Sequence, residues 1–422
     1  MSASGKAVAR IADSVPCSLA IAFALGLIAP DANGQGGGPS LYEVGTPDMG
    51  LSSAGAGARS RDAATAYTNP AGMTQLTGRH VLFGAYELWV VQEFEADPGG
   101  TVSVPPGSLD GGGRSVTPQA AVGTYAVVQI DERRWFGFAL NAPFAGGSDY
   151  DESWIGRAFV TESQLVGLNM EPSFAVRLDP RWSLGVGLNV FFARLESKRL
   201  ASNAAGAPRV TLEADDVGVG ATVAALYTPN ARTRIGLTYR SEIDVELEGE
   251  LDSPGEPNAT LDFTLPRGVS LSLRRDVTPR TSLLADVGWT DWSAFSKQRS
   301  SVAGVPSVLD RGWNDTWRVG LGVEWLADER WLLQAGIGFD SSAIDDNRLL
   351  PDIPFQESLR YSVGCQYRLD ERWALGMTYT FMDRGTPDVD RVALPPSGAV
   401  VLDGEFRESV RHFLGFTLSW SG

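Results

Sequence analysis

The sequence predicts an all-β protein: a 14-stranded antiparallel transmembrane β-barrel whose N-terminal segment plugs the lumen. Three observations predict it. Short turn segments recur at regular spacing, and the strands between them alternate apolar and polar residues over a membrane's thickness. Only one hydrophobic stretch has helical character, and it lies at the N-terminus.

The composition agrees. Of 422 residues 43% are hydrophobic, too many for a disordered chain. Yet the mean hydropathy of -0.08 is too low for a bundle of membrane helices. Gly (48) and Trp (12) are plentiful, which suits many short strands joined by turns.

Lys6 and Arg10 form a positive n-region ahead of the apolar run Leu19 to Ala29, and Ala32 and Gly34 offer small residues for cleavage. Residues 1–34 are therefore expected to be a secretory signal peptide, with Gln35 the first mature residue and an uncleaved anchor the alternative. Cys17 precedes the apolar run and is not placed for acylation. Cleavage removes two cations and two anions (Asp13, Asp31), so the net charge stays at -16. So acidic a chain is a poor nucleic-acid partner. One cysteine, Cys365, remains, which excludes an intrachain disulfide.

The turns are Asp131-Glu132-Arg133-Arg134-Trp135, Asp179-Pro180-Arg181-Trp182, Thr228-Pro229-Asn230-Ala231-Arg232, Thr278-Pro279-Arg280, Asp328-Glu329-Arg330-Trp331 and Asp370-Glu371-Arg372-Trp373. Asp, Pro and Asn preset tight turns. In four of them a Trp follows at once, where an interfacial aromatic girdle belongs. Between the turns lie longer segments near 97–113, 144–163, 198–209, 249–258, 296–312, 341–356 and 387–404. Short turns alternating with long loops are the asymmetry of outer-membrane barrels, short side periplasmic. Six such turns join twelve strands, and one more strand at each end makes fourteen.

Period two is clear within the strands. Trp331, Leu333, Ala335, Ile337 and Phe339 share one face, as do Trp373, Leu375, Met377, Tyr379 and Phe381, and Trp182, Leu184, Val186, Leu188 and Val190. A soluble sandwich also alternates, but over strands of about 5–6 residues. These stripes run for 9 to 11, the length needed to cross hydrocarbon. The apolar face then points at lipid. Asp286, Arg318, Glu324, Arg360, Gln366 and Arg368 fall on the inner face, with the glycine pairs Gly185/Gly187, Gly320/Gly322 and Gly336/Gly338. The first strand is placed from Arg79, so the barrel occupies 79–422 and the segment 35–78 precedes it. That segment is small in its side chains, and a fourteen-stranded barrel leaves an open channel unless filled. Folded inward, Arg59, Arg61 and Asp62 would pair with lumen charges; a disordered periplasmic tail is the alternative.

Residues 50–76, with Asn69-Pro70-Ala71-Gly72-Met73, resemble the hatch of the FadL/TodX family of outer-membrane transporters of long-chain fatty acids and aromatic hydrocarbons. The resemblance continues in order through Pro143-Phe144, Trp154-Ile155-Gly156-Arg157, Pro172-Ser173-Phe174-Ala175, Leu265-Pro266, Asp286 to Ser293, Leu350-Pro351-Asp352 and Tyr361-Ser362-Val363-Gly364. It implies a hatch carrying Asn69, Pro70, Ala71 and Gly72, uptake of a hydrophobic ligand by ligand-gated diffusion, and lateral release through a kink in the third strand. Here that strand runs from Arg134 to about Pro143, making Asn141 and Pro143 candidate gate residues; a plain strand end at Pro143 is the alternative. The chain departs from the pattern in ending Ser421-Gly422 rather than on an aromatic residue.

No catalytic motif is present, and no enzyme activity, cofactor or metal is expected. His80 and His412 fall in the first and last strands, which barrel closure brings together. Asp345-Asp346 and other loop carboxylates are read as solvated. Cys365 shares the lipid-facing stripe. Phe191, Leu284, Leu332, Met382 and Phe413 interrupt the polar inner face and are the candidate ligand-lining residues. The expected location is the outer membrane. The expected partners are a hydrophobic small molecule, outer-membrane lipid and lipopolysaccharide, and the barrel-assembly machinery, with a monomer as the unit. A nonspecific porin and a structural or adhesive barrel are the alternative functions.

Overall fold

The structure, a computed structural model, describes residues 41–97, 112–203, 206–252, 258–345, 348–350, 357–393 and 401–422. The expected signal peptide, Gln35, Asp346 and Pro351-Asp352 lie outside these residues.

Six long strands come first: β1 Arg79–Ala96, β2 Gly112–Gln129, β3 Arg134–Asp149, β4 Glu162–Arg177, β5 Trp182–Leu200 and β6 Arg209–Asn230. Four staves follow that are each split in two. They are β7 Thr233–Arg240 with β8 Ile243–Asp252, β9 Asn258–Leu265 with β10 Gly268–Asp276, β11 Thr281–Thr290 with β12 Lys297–Val302, and β13 Val305–Asp310 with β14 Thr316–Leu326. Then come β15 Trp331–Asp340, β16 Ser358–Arg368, a last split stave of β17 Trp373–Asp383 with β18 Asp388–Ala393, and β19 Val401–Ser421. Nineteen segments thus make fourteen antiparallel staves in one sheet. The sheet closes on itself: β1 pairs with β2 on one side and with β19 on the other, from His80↔Ser421 to Ala96↔Gly404. Closure leaves no first or last strand unpaired at a sheet edge.

All six predicted turns join neighbouring staves. Asp328 accepts backbone N–H bonds from Arg330 (2.7 Å) and Trp331 (2.8 Å), and Asp370 does the same for Arg372 and Trp373. These donors hold both carboxyls below the usual range. Outward stripes are as read: Trp331, Leu333, Ile337 and Phe339 face out, while Leu332, Gln334 and Asp340 are buried inside. Cys365 is half-buried, opposite outward Leu333 and Met377.

Four expectations are corrected. Trp182, Trp331 and Trp373 face out, but Trp135 is fully buried, its Nε1 donating to the Leu76 carbonyl at 2.8 Å. The first three follow Asp at three residues, whereas Trp135 follows Asp131 at four, and one extra residue turns a side chain to the opposite face. The 296–312 loop is a hairpin, β12 and β13, continuing the barrel wall outward. β3 does not end near Pro143 but runs to Asp149. Lastly, His80 and His412 do not meet, because antiparallel pairing sets His80 against Ser421 and His412 against Trp89.

Residues 41–78 lie within the cylinder, as short turns of helix: a 3-10 turn at Pro47–Leu51, α1 at Ala56–Arg59, α2 at Thr65–Thr68 and a 3-10 turn at Pro70–Gln75. Almost all of this segment is buried. It is held by tertiary contact, since helices this short have no stability of their own.

Candidate functional site

Glycine makes the close approach between segment and wall possible. A Cβ on Gly336 would overlap the Leu51 carbonyl, one on Gly236 the Gly57 carbonyl, and one on Gly185 the Pro70–Ala71 peptide. Of the inward glycines of the sequence, Gly185, Gly320, Gly322, Gly336 and Gly338 lie against the inner segment, whereas Gly187 lies against Glu171 of the wall. Asn69 adds a hydrogen bond from its Nδ2 to the Ala225 carbonyl (3.2 Å), Pro70 starts the 3-10 turn, and Ala71 packs on Ala224 and Leu226. A side chain on Gly72 would strike Ser60 and Thr65. Gly336→Val is expected to push the segment off β15 at a cost of about 1–3 kcal/mol. A urea midpoint equal to wild type would refute this.

Buried charges hold the same segment. Glu324 receives Arg59 (2.8 Å), Arg61 (3.2 Å) and Arg274 (2.5 Å), and Arg59 also meets Asp62 at 2.6 Å. Of the three charges expected to reach the wall, Arg59 and Arg61 do, while Asp62 bonds Arg59 inside the segment. A second cluster grips the segment's start. The Tyr42 ring lies 4.0 Å from the Arg318 guanidinium and 5.0 Å from that of Arg360, and Glu43 meets Arg360 at 3.3 Å. Arg318 and Arg360 also pair with Asp286 and Asp340. Arg240 stacks on Tyr67 at 4.1 Å and pairs with Glu171 at 2.8 Å. Burial pushes the Asp48 carboxyl up to about 7 against the pull of Arg59, and raises the Tyr42 and Tyr67 hydroxyls. Tyr42, Glu43 and Tyr67 are missed by sequence reasoning, since isolated residues in an irregular segment carry no periodic signal.

Between the segment and the wall lies a cavity of about 260 Å³, lined on its apolar side by Leu41, Val44, Phe144, Phe191, Ile243 and Leu265. An aromatic cluster adjoins it: Phe144 stands 6.2 Å from Phe191 and from Trp292, and Phe295 stands 4.8 Å from Trp313. Asn169 faces the cavity with both amide atoms buried and unpartnered. Arg240 and Arg318, which also reach it, are already neutralised by carboxylates. Of the five candidate lining residues, only Phe191 lines this cavity. Leu284 lies beneath Gly55, where hatch-like packing accounts for it. Leu332 is buried at the start of β15, beside the 328–331 turn. Met382 and Phe413 come together in another cluster, with Met49, Leu88, Val90 and the cavity-lining Leu41.

Asn141 and Pro143 mark an interruption in the wall. Pairing of β2 with β3 stops at Thr124↔Leu140, although β3 runs on to Asp149. On the other side, Asn141 opposes Asn169 and Phe144 opposes Gly167, so Ala142 and Pro143 bulge against Leu168 alone. Proline lacks the N–H a ladder needs. Farther along, the Asp149 N–H donates to Ser115 Oγ (2.9 Å) without renewed backbone pairing of the two strands. Leu41 sits at this window, its N–H donating to the Pro143 carbonyl at 2.8 Å.

The family model described as "Outer membrane protein transport protein (OMPP1/FadL/TodX)" matches residues 30–408. A long-chain fatty acid transport protein of Escherichia coli O6:H1 is 24% identical over 88% of this chain and 89% of its own. Outer membrane protein P1 of Haemophilus influenzae is 25% identical over 81% and 82%. Among solved structures, a Pseudomonas aeruginosa FadL homologue superposes with a TM-score of 0.83 at 19% identity, covering 91% of this chain and 99% of its own. The P. putida toluene transporter TodX does so at 0.66 and 14%, covering 85% and 94%.

Proposed function

The chain belongs to the OMPP1/FadL/TodX family of outer-membrane transport proteins, and from that membership we propose that it takes up hydrophobic small molecules and releases them sideways into the membrane. Fatty acids and hydrocarbons are the classes its relatives' names carry, and the apolar lining of the cavity suits the hydrocarbon part of both. The observation that carries the lateral reading is the window between β2 and β3, with Leu41 lying across it. A ligand that shifts the start of the inner segment would free that window without opening an aqueous path through the barrel.

In this reading residues 1–34 are the export signal, 35–78 the hatch and 79–422 the barrel. Asn69, Pro70, Ala71 and Gly72 dock the hatch, Phe191 contacts ligand in the cavity, and Asn141 and Pro143 shape the gate. The work is transport rather than catalysis. A barrel closed by pairing of its first and last strands favours a monomer, and its surroundings are lipopolysaccharide, lipid and, during insertion, the assembly machinery.

Deleting Pro143 tests the gate. Without it, Ala142 falls opposite Leu168, the register with β4 is restored, and β3 can pair onward with β2. Uptake of labelled palmitate and of toluene by cells dependent on this protein should fall more than tenfold, while the folded barrel still reaches the membrane. Unchanged uptake with the bulge removed would defeat lateral release.

A further inference from the structure

Arg411 lies inside the wall on β19, 1% exposed, opposite Val90 on β1 and Met382 on β17. Its Nε and Nη1 are buried without a hydrogen-bond partner, and among the described residues no carboxylate pairs with it. Around the inner segment, Arg59 within it and Arg240, Arg318 and Arg360 on the wall each have a carboxylate within ion-pair range. A buried cation left alone is strongly unfavourable. Arg411 is thus a charge waiting for an anion.

Its surroundings indicate what kind of anion. One inward step along β19 is Phe413, packed with Leu88, Val90, Met382, Met49 and Leu41 in a continuous apolar patch. On the far side of β1, Gln119 faces inward opposite Leu88, with both amide atoms buried and unpartnered. Ser409, one inward step the other way, has a buried hydroxyl that is likewise unpartnered. Arg411 and Gln119 stand two strands apart, roughly 10 Å, and bracket the patch. We infer that this wall is a second ligand site, adjoining the cavity at Leu41, that takes a carboxylate-bearing amphiphile. The carboxylate lies against Arg411 and Ser409, and the alkyl chain runs over Val90, Leu88, Met382 and Phe413. The cavity, whose arginines are neutralised, suits an uncharged body; the Arg411 wall adds selection for an acid over an alcohol or a hydrocarbon of equal length.

This inference rests on the transport reading, and the test separates the two. Purified protein in lipid nanodiscs is titrated with palmitate and with 1-hexadecanol, as wild type, Arg411→Met and Arg411→Lys. Wild type should bind palmitate at least tenfold more tightly than hexadecanol. Arg411→Met should lose that preference with hexadecanol affinity unchanged, and Arg411→Lys should restore part of it. Without ligand, Arg411→Met should be no less stable to urea than wild type, because it removes an uncompensated buried charge. A merely structural arginine would instead lower that midpoint and leave the preference intact, which overturns the inference, as does equal loss for both ligands. Wild type binding neither probe would overturn the transport reading together with it. Wild type binding both equally would overturn the Arg411 site alone.

Discussion

Deleting residues 45–75 will turn the closed barrel into a steady aqueous channel. Fourteen staves enclose more space than their own side chains fill, and the inner segment occupies it. The segment lies against the wall glycines Gly185, Gly336 and Gly364 and binds the wall through Glu324, Arg360 and Arg240. Once it is gone, those inward charges face water and wet the lumen. In planar bilayers the full-length protein should stay closed or conduct only in brief openings, whereas the deletion should conduct continuously. A porin would behave otherwise, with the full-length protein giving large steady currents at once. Because the strands pair with one another and not with the segment, the shortened chain should still close into a barrel.

Replacing Glu324 by Gln has the next largest expected effect. One carboxylate serves three arginines, two from the inner segment and one from β10. Its side chain is only 1% exposed. Its loss leaves buried guanidinium groups short of a counter-charge, which costs about 3–5 kcal/mol when one member of a buried pair is removed. The cost should fall on segment docking before barrel closure. Trypsin should then cut at Arg59 or Arg61 in the variant under conditions where wild type resists, while the barrel keeps its folded mobility on gels. Equal resistance to trypsin would show that packing against the glycines holds the segment without the charges.

How much of this was legible beforehand differs by element, and the reason is periodicity. Fourteen staves, six turns and the inward or outward sense of Trp331, Gln334 and Arg318 follow from a two-residue rhythm, because lipid on one side and a packed lumen on the other impose opposite chemistry on successive residues. Trp135 shows how narrow that inference is: one extra residue in the turn moved an aromatic from the girdle to the interior. The candidate lining set shows its second weakness. Phe191, Leu284, Leu332, Met382 and Phe413 are all buried, as the alternation requires. The rhythm says which face a residue takes and nothing about its height or its neighbours across the lumen, so five residues of one character divide among a cavity, a packing contact and an adjoining apolar patch.

By itself, then, the sequence determined the number of staves, the face each side chain takes and the presence of an irregular, small-residue segment ahead of the first strand. Those properties are local, set by residue type against lipid or lumen. Only the tertiary structure decided which glycine meets which peptide, that Glu324 gathers three arginines, that β2 and β3 part beyond Leu140, and that Arg411 is buried without a carboxylate. Each depends on closure of the cylinder and on the path of the inner segment, which bring together residues hundreds of positions apart whose pairing no short-range pattern encodes.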